Sequence, residues 1–408
     1  MHRTRNSFST NFRRSACVVA FAALSAVAPV AFAGPPPFAR PPFASQPKPD
    51  VDHRPRVQIA LLLDTSNSMD GLIFQARTQL WTIVNELSRA KRDGHRPRLE
   101  VALYEYGNNR LSPGEGYIRR VSGFTDDLDL ISERLWQLTT NGGSEFCGHV
   151  IKNSVEELAW SDSPKTYKAI FIAGNEPFTQ GEVDYRAAIA RAVGKGIVVN
   201  TIHCGTRDDG LNGQWADGAK RGEGEFMWID QERRRRVPRC PQDDEIAALS
   251  LKLNETYIPY GRLGSEGVAR QAAQDANVAT PAAAETGASL QRALVKAGGG
   301  YNNAAWDLVD AVREGKLRLD DVKDEDLPPA LRDLPPDRRA AYVAEQQRQR
   351  DELAARIQQL NADRAKHLAD LERQSATTPD PAETLDTAAV KVVREQMRAK
   401  GFEVEEER

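Results

Sequence analysis

Beyond its first 33 residues the 408-residue chain has no apolar run long enough to span a bilayer, so only the N-terminus can address it to a membrane. It has no G-x-S-x-G, no H-E-x-x-H and no phosphate-cradling glycine loop, and so lacks the usual frameworks of serine hydrolysis, zinc proteolysis and nucleotide binding. Positive charge is not in excess either: 55 Lys and Arg face 58 Asp and Glu, which gives nucleic acid nothing to recognise. Cysteine is scarce, four in all. Cys17 falls in the N-terminal segment, so Cys147, Cys204 and Cys240 are the three that a mature chain would keep.

That segment reads as a signal peptide over 1–33. Arg3, Arg5, Arg13 and Arg14 form a basic region, 16–28 is apolar, and Ala31-Phe32-Ala33 is a cleavage signal before Gly34. The mature chain is therefore expected to be exported, to a periplasm or out of the cell. Its loss of four arginines leaves 51 basic against 58 acidic residues. Residues 34–54 form a proline-rich linker, with seven prolines by Asp50.

From 55 to 230 the chain alternates between short apolar runs and amphipathic stretches. Strands are predicted over 57–63, 99–104, 117–121, 169–172, 197–202 and 226–229. Between them Leu72, Ala76, Leu80, Ile83, Val84 and Leu87 mark one helical stripe, and 128–138, 150–158 and 185–193 repeat the pattern. Strands alternating with helices predict an α/β fold with a doubly wound, mostly parallel sheet. Residues 231–334 read as a helical extension packing back on that domain, and 335–408 as a charged arm. The arm would be a long helix of about 55–60 Å, either in a short coiled coil or returning as a hairpin through 385–400. The run Arg233–Arg236 lies among acids and is expected to be a solvated loop.

Chemistry concentrates where the first strand ends. Asp64-Thr65-Ser66-Asn67-Ser68 sets one carboxylate and two hydroxyls at alternate positions of a turn, beyond the carboxyl end of a buried strand where α/β sheets bind ligands. Oxygen-only donors suit Mg²⁺, Mn²⁺ or Ca²⁺. Neutral hydroxyls would leave the ion enough charge to take an anionic ligand from another molecule. The plainer alternative is that Ser66 and Ser68 cap the next helix.

The stretch resembles a von Willebrand factor type A (VWA) domain, specifically an exported bacterial subgroup, and D-T-S-N-S resembles that family's metal-ion-dependent adhesion site (MIDAS). The resemblance covers roughly 55–230. It implies a further hydroxyl on the loop Gly142-Gly143-Ser144, and a late aspartate where this chain has Gly174 in Ala173-Gly174-Asn175-Glu176. Glu176, with Asn175 and Glu145 as other candidates, would have to replace it. The expected metal ligands are thus Asp64, Ser66, Ser68, Ser144 and Glu176. The implied function is a protein-binding module for adhesion or assembly, whose cation receives an Asp or Glu carboxylate from an unidentified partner protein. The alternative is a metal-free envelope scaffold acting through its C-terminal helices. An enzyme is disfavoured, since Asp64 lacks a second acid two positions on. For the cysteines, a Cys147–Cys204 disulfide is favoured over a zinc site of Cys147, His149, His203 and Cys204.

Overall fold

The first strand, β1 (Arg56–Asp64), alternates its side chains between two cores: Val57, Ile59 and Leu63 enter one, Ala60 and Leu62 the other. A strand covered on both faces has to be apolar throughout, which is why its sequence is a continuous run. In this computed structural model, which describes residues 54–234, 236–374 and 384–404, five more strands join it. They are β2 (Arg98–Tyr106), β3 (Ile118–Thr125), β4 (Tyr167–Gly174), β5 (Val198–Cys204) and β6 (Glu223–Ile229). The order is β3-β2-β1-β4-β5-β6, parallel except for the antiparallel β2–β3 pair. All six predicted strands are present, each within four residues of its expected ends.

Helices cover both faces. In the sheet region they are α1 (Asp70–Arg89), α2 (Leu128–Gln137), α3 (Cys147–Glu157), α4 (Tyr185–Gly194), α5 (Arg207–Asn212) and α6 (Trp215–Arg221). The helical stripe of α1 buries Leu72, Ala76, Leu80, Val84 and Leu87 against one core. Helices α3, α4 and α6 close the other, where Trp215 is fully buried. The later helices are α7 (Asp243–Asn254), α8 (Gly264–Val278), α9 (Pro281–Ala284), α10 (Ala288–Ala297), α11 (Leu308–Arg313), α12 (Pro329–Arg332), α13 (Pro336–Gln374) and α14 (Leu385–Ala399). Helix α10 packs on α1, and the 39-residue α13 packs on α7, α10 and α11. The described residues thus form a single unit.

The structure departs from the sequence reading at the C-terminus. Helix α14 does not return along α13 as a hairpin; it lies on α1 and β6 and sends Leu385, Ala389 and Val393 into the sheet's core. Its start is fixed by two buried glutamines of α1: Leu385 N donates to Gln75 Oε1 (2.9 Å) and Asp386 N to Gln79 Oε1 (2.8 Å). The coiled-coil seam is spent inside the chain as well, with Ile357 and Leu360 buried. Arg364, which breaks that seam, is buried in an ion pair with Asp243 at 2.7 Å. The disulfide is a second correction: Cys147, Cys204 and Cys240 are free and buried. Cys147 belongs to the core on one face of the sheet and Cys204 to the core on the other, so the sheet itself separates the two thiols. The signal peptide and nearly all of the proline-rich linker, up to residue 53, lie outside the described residues, as does the turn at 375–383. Among the described residues no helix is long and apolar enough to cross a membrane.

Candidate metal centre

Asp64 ends β1 in register with Tyr106 of β2, and Thr65 N donates to Tyr106 O at 2.8 Å, so the turn is pinned to the sheet end. The glycine loop is tied to the same turn: Asn67 N donates to Gly142 O (2.8 Å) and Asn141 N to Thr65 O (3.0 Å). Within the turn Ser66 N donates to Asp64 Oδ1 at 2.7 Å, and the Ser66 and Ser68 hydroxyls share a hydrogen bond of 3.2 Å. Neither serine caps a helix. Ser66 precedes a short 3-10 turn and α1 begins after Met69, and no side-chain capping bond is made at either start. The hydroxyls face each other and the late strand, from which Asn175 Nδ2 donates to Ser68 Oγ at 3.1 Å.

Asp64 and Glu145 are both buried, at 0% and 6% exposure. Burial pushes the Asp64 carboxyl up to about 7; hydrogen bonds from Ser66 oppose the rise, while the Glu145 and Glu176 carboxylates add to it. Glu145 is raised as well, by burial first and then by Glu176. Asp64 Oδ2 has no hydrogen-bond donor. Neither do Asn175 Oδ1 and Gln231 Oε1, although both residues hold Ser68, Gln231 through its Nε2 to Ser68 O at 2.8 Å. Three acceptor oxygens without donors, all on residues bonded to one short turn, describe a place short of positive charge.

The glycine at the late-strand position has a local cause. A Cβ on Gly174 would lie 2.5 Å from Tyr106 Oη and 3.1 Å from Asp64 Oδ2. The buried Tyr106 hydroxyl, which donates to Ala173 O at 2.9 Å, fills the volume an aspartate there would need.

Of the predicted ligands, Asp64, Ser66 and Ser68 converge, and Glu176 lies near enough to act on Asp64 electrostatically while accepting from Gln180 Nε2 at 3.2 Å. Ser144 is half-buried on the tied loop, and the neighbouring Glu145 side chain of that loop interacts with Asp64 and Ser66. Gln231 was not anticipated, and nothing in its local sequence marks it. The alternative zinc cluster does not form: His203 packs on Trp215 with ring centroids 5.7 Å apart, and among the described residues no three His, Cys, Asp or Glu side chains make a metal cluster by themselves. Any ion here would depend on hydroxyl and amide oxygens as well.

No family model and no curated protein matches the sequence. Solved structures similar to it include protein BatB from Bacteroides thetaiotaomicron, at 16% identity over 43% of this chain and 90% of that one, TM-score 0.32. The VWA domain of SpRpn10 is 14% identical over 47% of this chain and 95% of its own, TM-score 0.32. Proximal thread matrix protein 1 from the mussel byssus, in a form described as having a zinc-occupied MIDAS motif, is 14% identical with TM-score 0.32; the chain spans only 42% of its length. The sheet order and the D-T-S-N-S turn at the end of the central β1 match the doubly wound α/β arrangement expected from the sequence. Residues 56–229 form a six-stranded, mostly parallel sheet with helices on both faces. In this α/β domain the candidate centre lies where the carboxyl ends of β1 and β4 meet the glycine loop.

Proposed function

We propose that the chain is an exported binding module whose type A domain holds a divalent cation at the turn after β1 and presents it to an acidic side chain of a partner protein. The observation that carries this reading is Asp64: fully buried, with one carboxylate oxygen lacking a donor and two further carboxylates close by. Burying an unpaired anion is costly, and gathering three is more so. A cation offsets that cost. The donors on offer are oxygens only, which fits Mg²⁺, with Mn²⁺ and Ca²⁺ as alternatives.

In this reading Asp64 supplies the retaining charge, and Ser66 and Ser68 orient toward the ion as neutral donors. Glu176 and Asn175 close the side where the late aspartate is missing. When bound, the ion supplies a positive centre that a partner's carboxylate can join. Export is inferred from the first 33 residues, and a periplasmic or a secreted destination fits equally. The scaffold alternative is less favoured, because α13 and α14 direct their apolar residues into the chain's own core. Binding is preferred to catalysis because the candidate thiol, Cys147, is buried and burial pushes its pKa upward, away from a reactive thiolate.

Calorimetric titration with Mg²⁺, Mn²⁺ and Ca²⁺ tests the centre, with Asp64→Ala as control. The expected result is saturable binding by the wild type that Asp64→Ala abolishes. Heats indistinguishable between the two proteins would rule the centre out.

A further inference from the structure

Beside the Ser144 hydroxyl expected of it, the glycine loop brings a carboxylate to Asp64. A Cβ placed on Gly107 would lie 2.9 Å from Glu145 Cγ and 2.7 Å from Asp64 Oδ1. One placed on Gly143 would strike Glu145 Oε1 while lying 3.2 Å from Ser66 Cβ. The Glu145 side chain therefore runs between Gly107 and Gly143, beside Asp64 and Ser66, through space that only residues without a Cβ leave open. Gly107 has φ +79°, a conformation in which an L side chain would also be strained.

The main chain of Glu145 is held: its N donates to Gln180 Oε1 at 3.3 Å, and its O accepts from Cys147 N at 3.2 Å. The carboxylate is not anchored by a base, since among the described residues no lysine or arginine pairs with it. It is nonetheless 6% exposed, beside Asp64 and under the influence of Glu176. A buried acid with no basic partner, aimed at a centre short of positive charge, is placed as a ligand would be.

Resting on the cation reading above, we propose that Glu145 is an internal substitute for the partner's acid: it occupies the ion's exchangeable side in the free chain and must be turned aside before an external carboxylate binds. Only its side chain has to rotate. Being tethered, it competes at a high effective concentration, so a lone carboxylate is excluded. A partner succeeds when further contacts around the acid compensate for displacing Glu145. The apparent affinity for any acidic ligand is lowered by the fraction of chains in which Glu145 is turned away. Glu145 is then the residue that sets specificity, separating an extended acidic surface from a small anion.

The test compares the full chain with Glu145→Gln, which keeps the shape and removes the charge. Each is titrated with Mn²⁺ in the calorimeter and then, at saturating Mn²⁺, with a labelled hexapeptide bearing one aspartate, read by fluorescence anisotropy. Circular dichroism checks folding, and Glu145→Ser replaces the first variant should that one not fold. The expected result is that the variant still binds Mn²⁺ and takes the peptide about tenfold or more tighter than the wild type. A variant that binds Mn²⁺ with no gain in peptide affinity overturns the proposal and leaves the cation reading standing. Loss of Mn²⁺ binding in the variant alone overturns it too, since Glu145 would then be a permanent ligand. Absence of Mn²⁺ binding in the wild type overturns both.

Discussion

Asp64 combines a position fixed by the sheet with a charge the fold holds poorly. Its carboxyl sits at about 7 in the folded chain against 3.8 for an ordinary aspartate, burial being the main cause. Because the folded state binds the proton more tightly, the metal-free protein loses stability as pH rises from about 4 to about 7. Removing the charge should reverse that loss. Asp64→Asn is expected to raise metal-free stability at pH 8 by about 1–3 kcal/mol, to flatten the pH dependence, and to abolish cation binding; urea melts at several pH values check the first two. Proton and cation compete for the same carboxylate, so wild-type cation affinity should climb over the same pH window.

Gly174 carries a second expectation at this scale. An aspartate there meets Tyr106 Oη and Asp64, so Gly174→Asp should cost about 1–3 kcal/mol by overpacking alone. Combining it with Tyr106→Phe, which removes the obstructing hydroxyl, should recover part of the loss and strengthen Mg²⁺ binding. Independent, additive costs in a double-mutant cycle would show that Tyr106 is not the obstacle.

Among the elements, α13 shows how a very polar helix is held. Arg350, Ile357 and Arg364 recur at intervals of seven and fall on one buried face. Arg350 binds Asp307 at 2.7 Å and Asp310 at 3.0 Å, donates to Thr256 O at 2.7 Å, and lies 4.0 Å over the Tyr257 ring. Asp307 in turn accepts from Ile258 N at 2.7 Å and from Asp310 N at 2.9 Å, so one arginine closes a network joining α11, α13 and the segment after α7. Arg350→Ala should therefore destabilise the chain by about 3–5 kcal/mol, because the buried Asp307 loses its counter-charge and Asp310 keeps only the partly exposed Arg313. Chemical denaturation measures this. A loss below about 1 kcal/mol would mean water reaches the network and the pair behaves as a surface bridge.

For the molecule as a whole, α14 decides what can be separated. It covers β1, β4 and β5 through Leu385, Ala389 and Val393, and is held by hydrogen bonds from Tyr167 Oη to Gln396 Oε1 (2.7 Å) and from Gln396 Nε2 to Asn200 Oδ1 (2.7 Å). Arg394 adds an ion pair to Glu86. A chain ending before Leu385 would expose a contiguous apolar sheet face and is expected to aggregate or lose its cooperative melt, as light scattering and calorimetry would show. A soluble truncation with an unchanged melting temperature would mean α14 is dispensable.

The apolar runs placed the inner strands β1, β2, β4 and β5 because a sheet covered on both sides leaves no other composition open to them, whereas the edge strands β3 and β6 carry exposed polar residues and were bounded less closely. The turn at Asp64 was legible for a similar reason: a carboxylate and two hydroxyls at alternate positions after a buried strand have few other uses. The pairing of the cysteines was not legible, because the run containing Cys204 does not say which face of the sheet it meets. Nor was the destination of α14: its amphipathic spacing states that one face is covered and not what covers it.

Sequence alone thus determined the layered sheet and the end of it at which chemistry gathers, since both follow from local periodicity and the donors carried by one short turn. Only the tertiary structure decided that Glu145 approaches Asp64, that Tyr106 takes the place of a late acid, and that Gln231 supports Ser68 from 163 residues away. Contacts of that span leave no periodic trace in the chain. They are set by which backbones meet at the sheet's edge and by the volumes remaining between them.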